Sequence, residues 1–217
     1  MSERGSLGHF REKYQTSDAA GHYARNRFRS WRRAWLDRKE RSCIRRLVAR
    51  MGSEGGILDA PCGAGRLLST LGRDRRGPTI GLDGSMAMLQ EVGRGELGAI
   101  PLVQGDMRAL PFLEDSFEGV LCLRILHRIP EIQERRQLLK ELIRVSRGWI
   151  VISFYDSQTP HAARKRRRGR YDGMTRDSFE AEVKSLGWTV SNYWGMRRFW
   201  KAHSQTLALL LAPSDDG

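Results

Sequence analysis

Three carboxylates close short apolar runs in this chain. Asp59 follows Ile57 and Leu58, Asp83 ends the run from Thr79 to Leu82, and Asp106 follows Leu102 to Gly105. After the first acid comes a turn with two glycines, Gly63 and Gly65, and then Leu67, Leu68 and Leu71 at helical spacing. Glycine lets a ligand approach the backbone closely, and a helix start offers N–H groups without intrahelical partners. Gly63-x-Gly65 alone is a weak signal, because Leu68 stands where a dinucleotide fingerprint has its third glycine. The acid ahead of the turn is more informative. Asp59 would repel a pyrophosphate and attract a ligand with a cationic amino group. Asp83 lies about 20 residues beyond the turn, the spacing expected of a ribose-binding carboxylate, and its two acceptor oxygens suit a pair of hydroxyls.

These acids need strands to carry them and helices to space them. The run Val120 to Arg124 has the near-continuous apolar character of a strand buried on both faces, and Trp149 to Tyr155 is a fifth strand. Ser85 is a fair cap for a helix starting at Met86, and Leu138, Leu139, Leu142 and Ile143 give an amphipathic helix over 132–145. Strands alternating with helices predict a parallel, doubly wound sheet, which binds ligands at the carboxyl ends of its strands. Upstream, 19–50 is helical in character with aromatics at Tyr23, Phe28, Trp31 and Trp35, and predicts two helices. Downstream, a helix over 175–186 starts on a capping pattern at Thr175, and 189–194 and 205–212 read as the last strands.

The stretches LDAPCGAGR, GLDGSMAML, QGDMRALPF and LCLRILHRIP, in this order, resemble the class I methyltransferases that use S-adenosylmethionine (SAM). The nearest likeness is to the methyltransferase type 11 group, related to ubiquinone and menaquinone biosynthesis enzymes, and it covers about Tyr23 to Ala212. It implies a Rossmann-like, doubly wound sheet of seven strands, mostly parallel with an antiparallel final strand, and helices on both faces. It implies one domain over 1–217, with a helical cap over 1–50 and a basic loop over 157–173. By the same resemblance Asp59, Gly63 and Gly65 hold the methionine part of SAM, with Tyr23 beside it, and Asp83 takes the ribose. Asp106 accepts from the adenine amino group, Met107 packs on the ring, and Ser85, Met86, Leu123 and Arg124 line the pocket. Pro61 stands where many members have glycine. Methyl transfer draws its driving force from the cofactor, so no catalytic triad is required.

The acceptor side offers several candidates. Arg124 could face the cofactor or bind a substrate anion. His127 is a candidate base near neutral pH, or a turn histidine satisfied by backbone. Tyr155 and Asp156, at the end of strand five, could orient or deprotonate a hydroxyl. Composition narrows the partners. The chain has 217 residues with 38 Lys+Arg against 25 Asp+Glu, a net charge of +13, which favours an anionic acceptor or surface. Arg164 to Arg170 is a basic run, and Trp188, Tyr193, Trp194, Arg197, Arg198 and Trp200 follow it. Three dispersed cysteines give no metal pattern and fit a reducing compartment. A polar start without a signal peptide, and no apolar run long enough to span a bilayer, point to a cytoplasmic protein, free or peripheral to the inner membrane surface. The expected function is methyl transfer to a small-molecule or lipid-linked acceptor. The alternatives are an RNA methyltransferase and a non-catalytic SAM-binding partner.

Overall fold

The computed structural model describes residues 16–26, 30–52, 54–71, 77–93, 100–129, 131–159, 162, 173–195 and 205–213. The basic run Arg164 to Arg170, together with Arg197, Arg198 and Trp200, lies outside them. Seven strands form one sheet: β1 (Ile57–Asp59), β2 (Thr79–Asp83), β3 (Leu102–Gln104), β4 (Phe117–Cys122), β5 (Ser146–Tyr155), β6 (Thr189–Gly195) and β7 (Gln205–Leu211). Their order is β3-β2-β1-β4-β5-β7-β6. The first five run parallel, and β7 is antiparallel to both β5 and β6. This is the doubly wound sheet that the alternation of strands and helices implied.

Period-two alternation along the strands divides the core between two faces. Leu58, Val120, Ile150, Ile152, Ala208 and Leu210 point to one face. There they meet Leu138, Leu139 and Leu142 of a helix over Ile132–Val145 (α5) and Phe179 and Val183 of a helix over Arg176–Lys184 (α6). Ile57, Leu121, Val151, Leu207 and Leu209 point the other way, against Ile44, Leu47 and Val48 of the long helix α2 (Trp31–Met51). Three further helices are found among the described residues: α1 (Ser17–Asn26), α3 (Leu68–Leu71) and α4 (Met86–Gly93). The caps behave as read from the chain. Ser85 Oγ accepts from Met88 N at 3.2 Å, and Thr175 Oγ1 accepts from Ser178 N at 3.0 Å.

Some element bounds differ from expectation for local reasons. β3 begins at Leu102, because Pro101 before it has no N–H to give the ladder. β4 stops at Cys122, and Arg124 has φ +63°, a left-handed conformation that ends a strand. β5 starts three residues earlier than its apolar run, at Ser146.

One packing constraint sits between the two central strands. A Cβ placed on Gly119 of β4 would lie 2.1 Å from the buried indole of Trp149 on β5. Gly119→Ala should therefore lower stability by about 1–3 kcal/mol through overpacking. At Gly93 a Cβ would meet nothing within 4 Å. Urea unfolding with a normal m-value should show a lowered midpoint for Gly119→Ala and no comparable loss for Gly93→Ala; equal midpoints would refute the clash.

Candidate functional site

The chain passes from β3 at one edge back to β4 in the centre, so the strand order reverses between β1 and β4, the place where open α/β sheets hold ligands. The glycine turn leaves β1 at that place. Ala60 N donates to the Leu121 carbonyl at 2.9 Å and Cys62 N to the Leu82 carbonyl at 2.8 Å, tying the turn to both neighbouring strands. Gly63 and Gly65 have φ of +55° and +75°, where a side chain would be strained. A Cβ on Gly63 would meet no atom within 4 Å, so the space before the turn is open. Asp83 holds this shape: Gly63 N donates to its Oδ2 at 2.8 Å and Ser85 N to its Oδ1 at 2.9 Å. The resemblance gave Asp83 only a ligand role. The structure shows it as the staple of the turn.

Asp59 is treated differently. It is 1% exposed, and its Oδ2 has no hydrogen-bond partner. Burial pushes its carboxyl up to about 8; Arg66 offsets part of that rise and the charge on Asp83 adds to it. An isolated buried carboxylate is costly, and a bound cation would relieve the cost. Burial also raises the thiols of Cys62 and Cys122, which makes them packing groups rather than nucleophiles.

Beside Asp59 lies an ion-pair network that the motifs do not contain. Glu40 of α2 is 1% exposed. Its carboxylate accepts from Arg66 Nη1 at 2.9 Å, from Gln205 Nε2 at 2.6 Å, from Arg124 Nε at 3.4 Å and from Arg124 Nη2. Asp37, one turn earlier, accepts from Arg66 Nη1 at 2.7 Å and Arg41 Nε at 2.8 Å. Burial would raise the Glu40 carboxyl, but Arg66 and Arg124 outweigh it and hold it below its ordinary value. Arg124 also donates its backbone N–H to Ser153 Oγ at 2.7 Å, which helps hold a conformation that costs a non-glycine residue on the order of 1–3 kcal/mol. One signal was present in the chain: Asp37 and Glu40 share the stripe of α2 that carries Ile44, Leu47 and Val48, where an acid needs a partner.

The remaining candidates separate into groups. Tyr23 packs against the cluster of Ala20, Ala87 and Met88, on which Ala64 of the glycine turn also packs. Met86 is exposed, whereas Met107 and Leu123 are buried in the core. Asp106, just beyond β3, is engaged by Arg108, with Nη2 at 2.7 Å and Nε at 3.1 Å, so an adenine amino group would share it. His127 and Tyr155 lie side by side, with ring centroids 4.1 Å apart. Asp156 does not join them. It is buried, and its oxygens accept from Gln158 N at 2.9 Å and Arg176 Nε at 3.2 Å, the behaviour of a turn and ion-pair residue. Trp188 is buried in the core, not in a stacking face. No group of three metal-ligating side chains occurs among the described residues.

Known proteins share this fold. Residues 57–148 match the model of a methyltransferase domain family. A candidate methyltransferase of Encephalitozoon cuniculi is 32% identical over 94 residues, 42% of this chain and 40% of that protein's length. The magnesium protoporphyrin IX methyltransferase of Synechocystis PCC 6803, solved with bound SAH, superposes with a TM-score of 0.80 at 12% identity, covering 96% of this chain and all of that one. The [4+2]-cyclase SpnF superposes at 0.63 and 13% identity, covering 82% of this chain and 80% of its own. At such identities the likeness is one of fold, and the cyclase shows that the fold hosts more than one reaction.

The buried acid makes stability depend on pH. Unfolded, Asp59 ionises near its ordinary value of 3.8; folded, it keeps its proton to about 8. Its contribution is therefore fully present below about pH 4, is lost as pH rises through the interval, and stays lost above. Asp59→Asn removes that slope. Relative to the native chain, the ligand-free variant should gain on the order of a few kcal/mol between pH 5 and 8 and level off above. Parallel stability curves from pH 5 to 9 would rule this environment out.

Proposed function

We propose that this chain, whose fold is that of the class I SAM-dependent methyltransferases, transfers a methyl group from SAM to a small-molecule or lipid-linked acceptor, preferably an anionic one. The observation that carries the reading is Asp59: a buried carboxyl whose Oδ2 has no hydrogen-bond partner among the described residues, set at the switch point of the sheet beside an open glycine turn. That donor set fits the amino end of SAM, since the ammonium would pair with Asp59 while Gly63 and Gly65 keep side chains out of its way. Asp83 would accept from the ribose hydroxyls alongside the N–H groups of Gly63 and Ser85, and Asp106 would share its carboxylate between Arg108 and the adenine amino group. The cofactor supplies a methyl group on a positive sulfur, ready for displacement by a nucleophile.

On the acceptor side His127 and Tyr155 take the catalytic roles, because their rings adjoin at the ends of β4 and β5. Either can orient a hydroxyl or receive its proton. Asp156 is proposed only as their neighbour, since Arg176 and its own turn use both oxygens. RNA is the second reading, supported by the exposed cations Arg33, Arg38, Arg45, Arg46 and Arg50 along α2. Binding of RNA with a steep salt slope would favour it. No described helix is long and apolar enough to cross a membrane; a cytoplasmic site of action belongs to the proposal.

Calorimetry should find SAM binding with a dissociation constant in the micromolar range, order of magnitude only. A protonated Asp59 must lose its proton to pair with the ammonium, so affinity should rise up to about tenfold per pH unit below 8 and flatten above. Asp59→Asn should bind more weakly and lose this dependence; a flat native profile would remove Asp59 from the site. With an acceptor in hand, Tyr155→Phe and His127→Asn should slow turnover by roughly 10²–10⁴-fold in whichever residue handles the proton, at unchanged SAM affinity. Native turnover in both variants would put the acceptor elsewhere.

A further inference from the structure

Asp59 and Glu40 are equally buried acids, each 1% exposed, and the structure treats them in opposite ways. Glu40 accepts four hydrogen bonds from Arg66, Arg124 and Gln205, which fills both of its oxygens. Asp59 Oδ2 accepts none. Yet Arg66 lies close enough to Asp59 for each to feel the other's charge. A buried guanidinium beside a buried, unpaired carboxylate should close on it, unless better-placed acids hold it elsewhere. Two do. A single nitrogen of Arg66, Nη1, is shared between Asp37 at 2.7 Å and Glu40 at 2.9 Å.

We infer that Glu40 is a positioning residue: with Asp37 it holds the Arg66 guanidinium away from Asp59, so that Asp59 keeps an unpaired carboxyl for the ammonium of the cofactor. The inference rests on the cofactor reading above for its purpose but not for its geometry. Glu40 also cancels the charge that Arg66 and Arg124 would otherwise present to a cationic ligand. Among the described residues, four charged or titratable groups interact with Asp59. Arg66 follows the turn, Asp83 ends β2, and the thiols of Cys62 and Cys122 lie in the turn and on β4. Among them Arg66 is the cation. Whatever frees Arg66 should therefore lower the pH at which Asp59 titrates and weaken the hold on an ammonium together.

The test follows the Asp59 carboxyl by ¹³C NMR in the full-length, ligand-free protein, with Asp59→Asn to assign the signal, and measures SAM affinity by calorimetry. Glu40→Gln should lower the Asp59 midpoint by a pH unit or more and weaken SAM tenfold or more. Asp37→Asn, at the less buried acid, should shift both in the same direction by less, and it decides the matter if Glu40→Gln does not fold. In Glu40→Gln/Arg66→Gln the competing cation is gone, so the midpoint should return to the native value or above. A purely structural role for Glu40 would not move that midpoint. Folded single variants with the native midpoint, or a double variant that keeps the lowered one, would overturn the inference. If the native protein does not bind SAM at any pH, the functional reading fails, and the Asp59 midpoints alone still decide the role of Glu40.

Discussion

A buried carboxyl oxygen without a hydrogen-bond partner is among the costlier things a protein interior can hold, and Oδ2 of Asp59, the last residue of a central strand, is one among the described residues. Much of the neighbouring structure makes sense as support for it. The turn beyond it is tied to strands on both sides and stapled by Asp83, so the backbone cannot collapse onto the acid. The nearest cation is held by two acids of α2. Leu58, Cys122 and the rest of the sheet's apolar faces exclude water from behind. An interior this dry strengthens whatever charge pairs with Asp59, which is why a strained and unsatisfied site is worth its cost in stability.

The sheet was legible in the chain because each strand carries an alternating or continuous apolar run and ends on a residue that differs from it. Val120 to Cys122 and Trp149 to Tyr155 are unmistakable in this respect, and the caps Ser85 and Thr175 mark their helices directly. The cluster of Asp59, Gly63, Gly65, Asp83 and Ser85 was legible for the same reason: it is local, lying within two strand-ends and the turns that leave them. What local patterns do not contain is pairing over distance. That Asp106 is engaged by Arg108, and Asp156 by Arg176, changes what each acid can do, and neither partnership has a signature in spacing.

The network around Glu40 is the largest omission of this kind. On a helix rich in arginine, Asp37 and Glu40 read as ordinary acids among solvated cations. Their burial follows from the turn of α2 that carries Ile44, Leu47 and Val48 onto the sheet, which fixes the same face four and seven residues upstream of Ile44. The left-handed Arg124 was hidden too, since its type gives no hint of it; the conformation exists because Glu40 and Ser153 grip the residue at both ends.

The hydrogen bond between Glu40 and Gln205 spans 165 residues, and that between Glu40 and Arg124 spans 84. During synthesis the motifs of the glycine turn emerge long before the strand that carries Gln205. β7 is also the antiparallel strand wedged between β5 and β6, so its insertion completes the sheet as well as the network. Contacts of such long separation close late, because the loop entropy must be spent before they form. The ion-pair network beside Asp59 is thus completed from a strand far downstream of the turn it supports. A partly made polypeptide would hold the glycine turn in order of sequence but without that network, and would reach the arrangement described above only when β7 slides into place.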